Sequence, residues 1–210
     1  MAKYQRATTP KGVAQYPWLT KADTKFNTDG GDYKTNLVVS LEAKGVSELI
    51  EKIETVFDEH VAAVKAAKGK KPRREELPFE VDEDEGTVTF KIKKKRFVGQ
   101  GEKRFEKKIA FFSAGSKKPI PPAKVPAIYA GSELAIALEL LTWENQGKVG
   151  VRLEPLAVQI IQLSAGRTAD AESYGFGEEA GGYAFDDSED EAPFDSDADA
   201  EDEGEELDDF

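Results

Sequence analysis

The 210-residue chain sets 29 Lys and Arg against 41 Asp and Glu, a net charge of −12. That total hides a division: residues up to Thr168 hold all 29 cations and 22 carboxylates, a net +7, whereas from Ala169 onward there are 19 carboxylates and no cation. Such asymmetry is a sign of nucleic-acid binding by a basic body with an acidic interaction tail. The absence of cysteine excludes a disulfide framework, a thiol nucleophile and a thiolate metal site. No apolar run approaches the ~20 residues that cross a bilayer, and the polar start Met1-Ala2-Lys3-Tyr4 is unlike a signal peptide. A soluble, cytoplasmic protein is therefore expected.

Residues 1–32 are polar, with scattered aromatics at Tyr16, Trp18 and Phe26 and a turn at Asp29-Gly30-Gly31-Asp32. The first strand is predicted next, where Tyr33, Thr35, Leu37, Val39 and Leu41 alternate with Lys34, Asn36 and Ser40. A helix is predicted over residues 47–67. Its stripe is Leu49, Ile50, Ile53, Val56, Phe57, His60, Val61 and Val64, with Ser47 as cap, Glu48 in the first turn, Lys65 and Lys68 at the end, and Gly69 as stop. The basic loop Lys68-Gly69-Lys70-Lys71-Pro72-Arg73-Arg74 leads to Leu77-Pro78-Phe79 and an acidic turn at residues 82–86. A strand over residues 87–97 is then predicted to turn at Gly99-Gln100-Gly101 and pair with residues 104–112 as a hairpin. After a proline-rich loop, residues 119–126, two last strands follow, at 133–143 and 150–163, joined at Asn145-Gln146-Gly147-Lys148. The final strand is apolar at nearly every position from Leu156 to Leu163, which predicts cover on both faces.

About five strands and one helix, mainly β with the helix between the first and second strands, fit a small antiparallel barrel. An OB-type five-stranded barrel with an inserted helix is the expected fold of residues 1–168. From Ala169 long aliphatics almost vanish, so residues 169–210 are expected to form a disordered acidic tail. Tyr174, Phe176, Tyr183, Phe185, Phe194 and Phe210 punctuate it. Its alternation of carboxylate and ring imitates single-stranded DNA, which suggests a competitor for the basic groove.

Three constellations are candidates for binding a phosphate backbone and unpaired bases. The first is the predicted hairpin, with Lys91, Lys93, Lys94, Lys95 and Arg96 on one strand, Lys103, Arg104, Lys107 and Lys108 on the next, and Phe97 and Phe105 among them. Clustered cations bind phosphates by counterion release, and aromatic rings beside them offer stacking surfaces. The alternative is a solvated strand face guarded by lysine. The second is the loop Lys68, Lys70, Lys71, Arg73 and Arg74, a candidate flexible arm. The third is Trp143 with Trp18, Tyr16 and Tyr33, each alternatively a core residue. His60, the sole histidine, falls on the apolar helix face and has no metal or triad partner in the sequence. Asp195, Asp197, Asp199 and Glu206 match calcium-loop spacing, but Ala200 stands where glycine is needed. Nothing argues for a cofactor, a metal or an enzyme. A protein–protein adaptor and a single-stranded RNA-binding protein remain as alternatives.

Several segments together resemble the single-stranded DNA-binding proteins of short-tailed bacteriophages. They are Met1-Ala2-Lys3, Gly69-Lys70-Lys71-Pro72, Leu77-Pro78-Phe79, residues 86–93, Val125-Pro126 through Gly131-Ser132, Trp143, and the acidic tail ending in Phe210. The resemblance implies an OB fold, binding of single-stranded DNA without catalysis in phage replication, recombination and repair, a homodimer, and residence in the host cytoplasm. It also implies that the tail, ending Leu207-Asp208-Asp209-Phe210, contacts the phage DNA polymerase and helicase-primase. Two positions depart from the family. Lys68 stands where it has arginine, and Leu141 where it has a stacking tyrosine, which moves the expected stacking contact to Trp143.

Overall fold

The computed structural model describes residues 5–25 and 30–164, all of which fall within the unit of residues 1–168. The described part is mostly strand with one helix. The strands are β1 (Gln5–Thr8), β2 (Gly12–Asp23), β3 (Asp32–Ser40), β4 (Arg73–Arg74), β5 (Phe79–Asp82), β6 (Thr87–Lys95), β7 (Phe97–Val98), β8 (Phe105–Glu106), β9 (Ala110–Ser113), β10 (Glu133–Asn145) and β11 (Lys148–Gln162). Helix α1 (Val46–Lys68) lies between β3 and the β4–β6 region.

Five strands close on one another in the order β2, β3, β6, β11, β10 and back to β2. Pairings are antiparallel except β6 with β11, which run parallel. This is the connectivity of an OB-type barrel. Two seams are thin: β10 meets β2 only at Glu133↔Val13 and Leu134↔Gly12, and β11 meets β6 only at Leu153↔Ile92. The result is a ring of strands rather than a fully zipped barrel. Short strands dress it: β1 extends β10, β5 pairs with β6, and β4 and β9 run parallel to β11.

Alternation builds the core. Leu37 and Val39 of β3, Val88, Phe90 and Ile92 of β6, Leu134, Ile136 and Leu138 of β10, and Leu153 and Val158 of β11 point inward and are almost fully buried. Burial of each such side chain is worth about 1.5–3 kcal/mol. The α1 stripe Leu49, Ile53, Val56, Phe57, Val61 and Val64 joins the same core, packed mainly on β10 and β11. The helix ends at Gly69, at φ 67°, whose N–H donates to the Lys65 carbonyl. At the other end Gly45, not Ser47, holds the cap position, and no side chain caps the helix there.

Three expectations change. Residues 12–23, passed over as polar, form the long strand β2. Its inward side carries the small residues Gly12 and Ala14 with Leu19 and Ala22, and its aromatics face out, so its periodicity is masked. The predicted hairpin of residues 87–97 with 104–112 does not form. β6 pairs with β3 and β5, only Phe97–Val98 and Phe105–Glu106 make a short ladder, and Ala110–Ser113 crosses to β11. Among the described residues the strand count rises from five to eleven, because the ring is decorated with two- to four-residue pieces too short to show a period. The β10–β11 hairpin is as expected. Gln146 and Gly147, at φ 48° and 78°, make its two-residue turn.

Candidate nucleic-acid interface

The outer face of β2, β3 and β6 is set by register. Trp18 stands opposite Lys34, and Lys34 opposite Lys93; in the next row Gln15 faces Asn36, and Asn36 faces Lys91. Lys95 extends β6 on the same side, and Lys21 lies beside them on β2. Tyr16 is 70% exposed and Trp18 42%. With Lys21 and Lys34 they line a shallow depression of about 530 Å³, and a smaller hollow lies between Tyr16, Lys34, Thr35 and Asn36. Exposed rings in line with cations offer stacking surfaces and phosphate contacts together. Of this group, the sequence reading singled out Trp18, Tyr16, Lys91, Lys93 and Lys95. Lys21, Lys34, Gln15 and Asn36 were missed, although the alternation of β3 already placed Lys34 and Asn36 on its outward side.

The basic run is less single-signed than its sequence suggests. Lys91 pairs with Glu80 at 2.5 Å, Lys93 with Asp32 at 2.9 Å, Arg96 with Glu106 at 2.7 Å, and Lys107 with Glu154 at 2.8 Å. Lys34 is held by Asp23 at 2.5 Å, and this hydrogen bond, with one from the Lys25 N–H, keeps the Asp23 carboxyl below its ordinary range. The Glu106 carboxylate beside Arg96 raises that guanidinium further. Lys91 and Glu80 are both exposed, so that pair is exchangeable with phosphate, whereas Asp32 and Asp23, which hold Lys93 and Lys34, are largely buried. Lys107 is committed further, because its partner Glu154 is buried and also receives Arg152 at 2.6 Å. Lys107 is thus a clasp for the segment after β8. Lys94 is not on the outer face at all. It is 5% exposed and donates to the carbonyls of Pro155 and Lys108, and burial lowers its pKa.

Beyond β6 the short β7–β8 ladder carries a tight aromatic knot. The guanidiniums of Arg96 and Arg104 both lie over the Phe97 ring, 5.0 and 4.5 Å from its centroid. Phe105 is 57% exposed on the same ladder.

The loop of residues 68–74 gathers elsewhere. Because β4 and β6 both run parallel to β11, with Arg73 opposite Lys148 and Ile92 opposite Leu153, this loop lies toward the end where β6 begins, away from Lys93 and Lys95. Nor is it a free arm. Lys68 pairs with Glu144, Arg74 with Asp58 at 2.7 Å, and Arg74 lies over the Phe57 ring at 4.5 Å. The N–H groups of Arg73 and Glu75 donate to the Gly147 and Val149 carbonyls, and Pro72 is buried. Lys148 holds the Glu75 carboxyl below its ordinary range. Lys70, Lys71 and Arg73 are the exposed cations of this loop that make no ion pair among the described residues. Trp143 joins this end, half-buried against Gly150, with its carbonyl accepting from His60 Nε2 at 3.2 Å. Tyr33 points inward, is 8% exposed, and has its phenol raised by burial, so it offers no stacking face. Leu207, Asp208, Asp209 and Phe210 lie outside the described residues, as does the whole tail.

A five-stranded OB-type ring whose outer face combines exposed aromatic rings with lysines defines a class, the barrel proteins that hold unpaired nucleic acid. Residues 11–163 match the family described as "Single-stranded DNA-binding protein, Bacteriophage T7", and the chain belongs to that family. Among solved structures it is similar to gp2.5, a single-stranded DNA-binding protein encoded by bacteriophage T7, at 24% identity over 81% of this chain and 98% of that one, with a TM-score of 0.67. The single-stranded DNA-binding protein of bacteriophage Enc34 is similar at 15% identity, covering 80% of this chain and 89% of that one, with a TM-score of 0.51. The same Enc34 protein in complex with single-stranded DNA matches at 14% identity over 77% and 89%, also at 0.51. No curated protein sequence matches the chain.

Proposed function

We propose that this chain binds single-stranded DNA without sequence preference and without catalysis, and that it coats DNA during phage replication, recombination and repair in the host cytoplasm. The observation that carries this reading is the row Trp18, Lys34 and Lys93 across three adjacent strands, with Tyr16 beside it. A backbone can follow the lysines while bases lie on the rings, which suits unpaired strands and gives a duplex little to hold. Membership of the phage family supports it. Homodimerisation, and recruitment of the phage DNA polymerase and helicase-primase by the tail ending at Phe210, belong to the same proposal.

Titration with oligo-dT, single-stranded RNA and matched duplex at two salt concentrations, followed by tryptophan fluorescence, tests it. Salt-sensitive quenching by oligo-dT, with much weaker duplex binding, is expected. Equal affinity for duplex supports the adaptor instead, and a preference for RNA the RNA-binding alternative. Deleting residues 190–210 removes carboxylates that repel the same polyanion. It is expected to raise DNA affinity at low salt and to abolish capture of the replication partners.

A further inference from the structure

Ala14 and Leu19 of β2 are five residues apart, so in a regular strand they would point to opposite faces. Both are buried in the core, at 0% and 1% exposure. The register supplies the reason. Gln15 pairs with Asn36 and Trp18 with Lys34, three steps on β2 against two on β3, so β2 holds one extra residue. Such a bulge re-aims side chains. At its centre Tyr16 has φ 51°, a backbone state costly for a residue with a Cβ, and its ring stands in solvent. Pro17 follows, with no N–H to return to the ladder.

The surroundings fix this shape. The Ala14 N–H donates to the Ser132 carbonyl and the Gly131 N–H to the Ala14 carbonyl. On the β3 side, the buried Thr35 hydroxyl donates to the Gln15 carbonyl at 3.0 Å, with a longer approach to the Asn36 carbonyl at 3.2 Å. A strained, exposed ring held by a buried hydrogen bond is poorly explained by packing, since the ring packs on little. Its position, with a hollow on either side, Trp18 bordering one and Asn36 the other, fits a partition between two flat ligands.

We propose that the Gln15–Pro17 bulge is a base-stacking device: Tyr16 and Trp18 take successive unpaired bases, and Thr35 is the positioning residue that holds Tyr16 out. This rests on the single-stranded DNA reading above.

The test compares wild type, Tyr16→Ala, Tyr16→Gly, Thr35→Val and Thr35→Ser for affinity to oligo-dT and to duplex, salt dependence, and melting temperature. Tyr16→Ala weakens oligo-dT binding by roughly 5- to 100-fold, with the salt slope and any duplex binding unchanged because the phosphate contacts remain. Tyr16→Gly loses the same affinity while the melting temperature holds or rises, since glycine accepts positive φ. Thr35→Val weakens oligo-dT binding and Thr35→Ser restores it. Wild-type affinity in both Tyr16 variants overturns the device while leaving the general reading intact, provided wild type still prefers oligo-dT to duplex. Wild-type affinity in Thr35→Val removes the positioning role. A wild type that binds neither form overturns both readings.

Discussion

The Lys94 ammonium donates to the carbonyl of Pro155, 2.8 Å away, from inside the ring of strands. Its neighbour Lys95 is exposed on the outer face. Two adjacent lysines of one basic run therefore serve different ends. Lys94→Met takes the donor from the Pro155 and Lys108 carbonyls and is expected to cost about 1–3 kcal/mol in denaturant unfolding. Lys95→Ala is expected to leave stability within about 0.5 kcal/mol and to weaken oligo-dT binding.

Glu154 is 1% exposed and receives both Lys107 and Arg152. Removing this carboxylate takes a charge-assisted hydrogen bond from each of two partly exposed cations, at a cost of about 1.5–3 kcal/mol. Glu154→Ala is expected to show a loss of that size by urea titration. Lys107→Ala is expected to lose less, since Arg152 still compensates the carboxylate.

Trp143 packs its ring on the backbone of Gly150, where a methyl group would collide with it. Gly150→Ala is expected to cost about 1–3 kcal/mol through overpacking. It should also red-shift tryptophan emission as the ring moves toward water. Unchanged stability and emission would show that the ring does not rest there.

The Asp23 carboxyl is held below its ordinary value of 3.8 by Lys34 and the Lys25 N–H. A lowered carboxyl stabilises the fold fully above the unfolded value and loses that contribution as pH falls through the folded one. Asp23→Asn is therefore expected to flatten the stability curve below about pH 4. An NMR titration of Asp23 in the wild type should show its midpoint below 3.8.

What the sequence made legible follows from periodicity. The β3 alternation, the α1 stripe with its Gly69 stop, and the β10–β11 hairpin were all readable, because each buries one face over nine or more residues. β2 was not, because its inward side is filled by glycine and alanine and its bulge breaks the period midway. The site suffered accordingly. Trp18 and Tyr16 were visible as aromatics and Lys91 to Lys95 as a charge run, yet only the missing strand brings them to one face. Charge counting hid that Lys94 turns inward, although the alternation that buries Val88, Phe90 and Ile92 already placed it there. The commitment of Lys107 to Glu154 was not legible, since it depends on a chain crossing far apart in sequence.

The most direct measurement is ultraviolet crosslinking of the full chain to oligo-dT, with the crosslinked residues mapped by mass spectrometry. Crosslinks at Tyr16 and Trp18, suppressed by high salt, are expected if the strand lies across β2, β3 and β6. Crosslinks confined to Trp143 and the loop of residues 68–74, with none on β2, would contradict that placement.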